Sequence, residues 1–189
     1  MTSLVQPTPA RRLRDAIEPL AAQGFMGARE DLKALGLRFM QGYVWGRAAA
    51  LGEPAPAVVV SAFGVFEPTF LIDAYEGGRA VAARDDVLAA RAAGATRQLA
   101  SIVGDDPEVA RLAATLRAAL DTVSTTARPL FAGLRDAPRA DDPHGALWQA
   151  ADLAREHRGD GHLAACVAAG LGPVEMNVLT ELYVGYPLR

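Results

Sequence analysis

The stretch AVVVSAFGVFEPTFLIDAY, residues 57–75, decides the fold class of this chain. Val58, Val59 and Val60 in succession favour a pleated strand. The continuation through Phe63, Val65, Phe66, Phe70, Leu71 and Ile72 lacks period-two alternation and is too long for one. Apolar on nearly every side, the stretch reads as a buried central helix. Pro68 sits inside the pattern; without an amide donor, and with its ring against the preceding turn, it should kink or split the helix near Glu67. A bend of that kind can open a cavity. Glu67 itself is a carboxylate in apolar company, which must be solvated, paired or functional, and Arg47 is the expected partner.

Working outward toward the N-terminus, Glu53-Pro54-Ala55-Pro56 is a clear break. Before it, Leu37, Met40, Val44 and Ala48 form a helical stripe ending near Gly52, preceded by a shorter pattern from Ala28 to Leu35 that stops at Gly36. Thr8-Pro9 is a cap-and-proline start, after which Leu13, Ile17 and Leu20 recur at helical spacing toward Gly24. Toward the C-terminus, residues 85–103 and 106–123 are amphipathic patterns divided by Gly104, and residues 128–139 are a shorter, proline-bounded piece. Asp141-Asp142-Pro143 caps a helix through Leu147 and Trp148 to about His157, ended by Gly159. Leu163 to Leu171 and residues 174–185 supply the last two helices. No segment reads as a strand, so the sequence predicts an all-α, single-domain multi-helix bundle of about eight or nine helices with a kinked buried central helix. The domain is expected to span residues 1–189, with 1–7 flexible; the ending Tyr186-Pro187-Leu188-Arg189 reads as a cut before a further C-terminal domain.

A chain of 189 residues, 51% hydrophobic and 22% charged, is sufficient for one compact core. The formal net charge of -3, with Lys33 the only lysine, argues against binding nucleic acid by phosphate neutralisation. The expectation is therefore no nucleic-acid partner through this chain alone. No apolar run is long enough to span a membrane, the start lacks the features of a signal peptide, and Cys166 alone cannot form an intramolecular disulfide. These features predict a cytoplasmic protein with no membrane partner. Phosphate loops, nucleophile elbows, paired Cys-x-x-Cys and His-Glu-x-x-His signatures are absent.

The most concentrated chemistry lies in Glu156-His157-Arg158-Gly159-Asp160-Gly161-His162, with His144 upstream. If Gly159 ends one helix and Asp160 caps the next, the run is a tight corner. His157 would then sit in a last turn that favours imidazolium, and His162 in a first turn that favours neutral imidazole. Such a pair can act as acid and base, or can contact an organic ligand while Arg158 and the amides of Gly161 and His162 hold an anionic group. His162 and Cys166 are four apart on one helix face, so a divalent metal, or haem through His157 or His162, is the cofactor alternative. A lone cysteine in an alanine-rich helix is more often core than ligand. The corner as a plain structural cap, a ligand site and a catalytic or metal site all remain open at this point.

A second candidate surface is aromatic. Phe39, Tyr43, Trp45, Phe63, Phe66, Phe70 and Trp148 could line an apolar pocket with Tyr43, Arg47 and Glu67 as its polar groups, and core packing explains the same spacing equally well.

The segments Leu147-Trp148-Gln149-Ala150-Ala151 and Arg155 to His162, with Pro9 to Leu13 and Tyr43 to Gly52, resemble an actinobacterial family of all-helical proteins. That family is classed with helix-turn-helix proteins or related to winged-helix regulators of the MarR type. The resemblance covers almost the whole chain and implies a regulator whose DNA-reading C-terminal segment is missing after Arg189. Relatives carry an aliphatic residue where this chain has Cys166, which counts against a metal. Together these readings predict a small-molecule-sensing helical domain. Its ligand would lie between the kinked helix and the 157–162 corner, contacted by His157, Arg158, Asp160, His162, Trp148, Tyr43, Arg47, Phe63 and Glu67. The alternatives are a histidine-dependent enzyme with a metal or haem, and a homodimeric helical interaction module.

Overall fold

The computed structural model describes residues 8–184; the expectations for residues 1–7 and for the ending at 186–189 lie outside them. Among the described residues there are ten α-helices and no strand. In chain order they are α1 (Pro9–Ala21), α2 (Arg29–Ala34), α3 (Phe39–Ala48), α4 (Pro56–Phe63), α5 (Pro68–Arg79), α6 (Arg84–Val103), α7 (Glu108–Asp121), α8 (Pro129–Arg135), α9 (Pro143–Ala168) and α10 (Pro173–Val184). They form an all-α, single-domain bundle. No described helix is by itself long and apolar enough to cross a membrane.

Local chemistry explains where the helices start. Thr8 accepts an amide hydrogen from Arg11 at 3.2 Å ahead of Pro9, and Asp142 accepts from His144 at 2.9 Å and Gly145 at 3.0 Å ahead of Pro143. The same device divides residues 57–75. Glu67 accepts from Thr69 at 2.9 Å and Phe70 at 2.6 Å, so Pro68 opens α5 as its first residue rather than bending a longer helix. On the other side of the break Gly64 ends α4 at φ +60°, and a Cβ there would overlap the side chain of Leu163 on α9. The stretch is thus split near Glu67, one of the two outcomes proline allowed.

α2 to α5 pack with the start of α6 around one apolar core that includes Trp45, Tyr75, Leu71, Phe63 and Val87. Its polar atoms are satisfied internally: the Trp45 indole donates to the Ala82 carbonyl at 3.0 Å, and the Tyr75 hydroxyl to the Pro54 carbonyl at 2.7 Å. A second layer surrounds α9, which lies against α1, α6, α7 and α8, while α6 also touches α2 and α3 and so joins the layers. The central position expected for residues 57–75 therefore falls to α9. Its apolar contacts are small separate clusters, one with α1, one with α6, and two that include α7, the second of these also reaching α8. α10 extends beyond the bend after Ala168, with Val174, Val178, Leu179 and Leu182 exposed.

The expected corner at 157–162 does not exist. α9 continues for 26 residues through Gly159, Asp160 and Gly161, and the helix predicted to begin at Leu163 is its last third. Two helical glycines cost about 1 kcal/mol each relative to alanine. Packing along both sides of α9 outweighs that cost. At Gly161 the Arg128 guanidinium, which donates to the His157 carbonyl, approaches the helix where a Cβ would stand.

Candidate functional site

Along α9, Asp152, Glu156 and Asp160 recur one turn apart, and each is at most 4% exposed. A buried carboxylate must be answered. Each of the three is answered by a different helix.

Asp152 meets Arg91 of α6 at 3.2 Å, and the same guanidinium donates to the carbonyls of Gly24 at 3.1 Å and Gly46 at 2.8 Å. Burial raises the Asp152 carboxyl above its ordinary value, against the lowering effect of Arg91. Its Oδ1 and the indole nitrogen of Trp148 are buried without a hydrogen-bond partner among the described residues.

Glu156 receives a two-pronged bond from Arg47 of α3, at 2.8 Å from Nε and 2.7 Å from Nη2, and a third from Arg155 at 3.1 Å. Burial alone would push this carboxyl up, but the charge and hydrogen bonds of Arg47, with the charge of Arg155, outweigh it and hold the group at about 2. Arg47 also lies over the Phe63 ring, 4.5 Å from its centroid, and donates to the Tyr43 hydroxyl at 3.0 Å. Burial raises the Tyr43 phenol, yet Arg47 and Arg155 bring it net below its ordinary value. Arg155 continues outward to Glu18 of α1 at 2.8 Å, where Arg158 joins at 3.2 Å.

Asp160 accepts the Phe131 amide hydrogen at 2.9 Å and so satisfies the start of α8. Burial pushes its carboxyl up to about 6, because the single amide bond and a nearby Arg128 compensate only in part.

The expected site residues therefore separate. Tyr43, Arg47 and Phe63 meet, as expected of an aromatic cluster, and the carboxylate that joins them is Glu156. Glu67 is the exposed cap of α5, held below the ordinary carboxylate range by the Phe70 and Thr69 amides, and is not the partner of Arg47. Trp148 packs with Ala95 and Leu99 under Arg91. His157 stands edge-on to Phe131, centroids 4.9 Å apart, and its imidazole is lowered by burial and by Arg128. His162 lies beside Cys166, Nδ1 to Sγ 3.7 Å, as their spacing predicts. Five residues along a continuous helix put His157 and His162 roughly 140° apart, so they cannot share one proton-transfer centre or one ion. Among the described residues no group of three His, Cys, Asp or Glu is placed to hold a metal. Asp160 borders a shallow depression of about 440 Å³ with Ser61, Pro129 and Leu163. The missed signal was present in the sequence: carboxylates at i, i+4 and i+8 on an alanine-rich helix mark a buried polar stripe.

A more enclosed cavity, also about 440 Å³, opens between α2 and α3, a volume suited to a small molecule. Leu32 and Leu37 form apolar walls, Phe25, Phe39 and Tyr43 supply rings, and Arg29, Lys33, Arg38 and Glu30 stand at the lining. Phe25 and Tyr43 meet edge to face with centroids 5.2 Å apart. Tyr43 thus faces the cavity and also receives the hydrogen bond of Arg47.

A family model described as a helix-turn-helix family matches residues 10–189, so the chain belongs to that family. No curated protein and no solved structure matches it. Membership makes this a regulator-like helical domain. It also overturns the expectation that the chain has no nucleic-acid partner, since the family points to a DNA-binding regulator. Net charge misled because it averages over the surface, whereas phosphate contact needs only a local cluster of cations.

Proposed function

We propose that this helix-turn-helix family member is a ligand-sensing regulator in which a small molecule occupies the cavity between α2 and α3. One observation carries the reading: Tyr43 is both a wall of that cavity and a hydrogen-bond partner of Arg47, whose fork holds Glu156 on the central helix. A ligand that moves the Tyr43 ring re-aims the Arg47 guanidinium. Glu156 is nearly inaccessible to water and has one further bond, from Arg155, so the carboxylate is drawn after its two-pronged partner. Arg155 and Glu18 extend the same network to α1. Sensing thus becomes a relative shift of α3, α9 and α1, the kind of small helix movement through which a bound regulator changes its hold on DNA.

This reading moves the ligand from the position expected near residues 157–162 to the α2–α3 cavity, keeping Tyr43 as a contact and Arg47 as the relay. A cytoplasmic location agrees with a lone, buried Cys166. A homodimer is favoured by the exposed Val174, Val178 and Leu182, which repeat every fourth residue on α10.

Native mass spectrometry of the purified chain beside a denatured sample, repeated for Phe39→Ala, tests the sensing site. A small mass retained by the native wild-type chain and lost from the variant is the expected result. The same mass on both would place the ligand elsewhere, and none on either counts against this cavity.

A further inference from the structure

From the cations around the α2–α3 cavity we infer that its ligand is a flat, aromatic acid whose anionic group is held by Arg29 and Arg38. The inference rests on the sensing role of that cavity and adds the chemical class of the ligand.

The charge of the lining favours an anionic guest. Three cations and one carboxylate line the cavity, and the carboxylate, Glu30, lies 3.6 Å from Lys33 in an exposed pair. Arg29 and Arg38 have no carboxylate partner among the described residues. Many of the other arginines, Arg47, Arg91, Arg97, Arg111, Arg117 and Arg155 among them, face a carboxylate at 3.2 Å or less, while Arg128 and Arg135 donate to backbone carbonyls instead. Two unpaired guanidinium groups at the lining of one cavity favour a ligand that brings the anion.

The rings of the lining favour an aromatic one. Phe39 is 48% exposed at the lining, with the Arg29 guanidinium 6.0 Å from its ring centroid, and Tyr43 and Phe25 lie within. The guanidinium lies over the Phe39 ring, so a cation and an exposed aromatic surface stand side by side at the lining. An aromatic acid uses both at once, stacking its ring on the apolar walls while its carboxylate faces the guanidinium forks. A neutral apolar guest would leave both arginines unanswered, and a simple inorganic anion would leave the aromatic walls wet.

Calorimetric titration of the whole chain with 1-naphthoate and with neutral 1-naphthamide tests this. The comparison is made at low and high salt and repeated for the Arg29→Ala/Arg38→Ala variant and for Phe39→Ala. All three positions are exposed, so folding should survive. The expected result is binding of naphthoate at least tenfold tighter than naphthamide, weakened by salt, with the preference abolished in the double arginine variant and affinity for both reduced by Phe39→Ala. Equal affinity for acid and amide would overturn the anionic class and leave the sensing cavity standing. Naphthoate binding unchanged in all the variants would overturn the site. Binding of neither compound would overturn the aromatic-acid class, while a copurifying mass lost from Phe39→Ala in native mass spectrometry would still uphold sensing there.

Discussion

The two layers of this molecule solve burial in opposite ways. Around α2 to α5 one continuous core is held by Trp45, Tyr75, Leu71 and their neighbours, with each buried polar atom of Trp45 and Tyr75 tied to a backbone carbonyl. Around α9 the apolar contacts are broken into small clusters, and Asp152, Glu156 and Asp160 run between them. The difference teaches that the first layer is fixed by shape and the second by charge geometry. A hydrophobic core resists change in proportion to lost volume. A buried ion pair is indifferent to replacement of both partners and sensitive to loss of one, which suits a relay better than a foundation.

The largest expected effect falls on the Arg47–Glu156 pair. Glu156→Ala leaves Arg47 buried without its partner and should lower unfolding stability by about 3–5 kcal/mol. Leu71→Ala, fully buried in the apolar layer, should cost about 2–5 kcal/mol. The layers separate in the double variant: Arg47→Met/Glu156→Leu should recover most of the loss, whereas no charge change rescues Leu71→Ala. Urea unfolding of the four proteins measures both, and a double variant as unstable as Glu156→Ala would mean that the pair supports the fold as a core does.

Acid titration distinguishes two carboxylates within the same stripe. The Glu156 carboxyl is lowered from 4.5 to about 2, so its stabilising contribution is present above about 4.5 and lost as pH falls toward 2. The Asp160 carboxyl is raised from 3.8 to about 6, so its contribution is present below about 4 and lost as pH rises through 6. Asp160→Asn keeps an acceptor for the Phe131 amide and removes the charged form. It should stabilise the protein at pH 7 by about 1–2 kcal/mol and flatten the stability profile between pH 4 and 6. An unchanged profile across that interval would show that Asp160 ionises normally.

The smallest effect is expected at His162. His162→Ala should change stability by no more than about 0.5 kcal/mol and leave any bound ligand in place, because His162 contacts Cys166 on its own helix and lies outside the cavity lining. Loss of the ligand in this variant, read by native mass spectrometry, would return the site to residues 157–162.

Much of this was legible in the residues. Helix starts followed from Thr8-Pro9 and Asp142-Pro143, because capping is a contact between residues two or three apart. The division at Pro68 followed from a missing amide; the spacing of four that brings Tyr43 to Arg47 on one helix was present too, although Arg47 reads first as the partner of Glu67. Gly159 and Gly161 misled, since the local rule that glycine ends a helix yields to packing along α9. Net charge misled about DNA for a similar reason, a total being no guide to local arrangement.

The sequence by itself determined the fold class, most helix boundaries and the positions of the ionisable residues along each helix, because these depend on periodicity and on near neighbours. Which helix became central, which arginine answered each carboxylate and where a cavity opened were decided only in the tertiary structure. Arg47 and Glu156 are 109 residues apart in the chain, and no local pattern encodes their meeting. The physical reason is that a buried charge takes whichever opposite charge the packing delivers, and packing is a property of the whole chain.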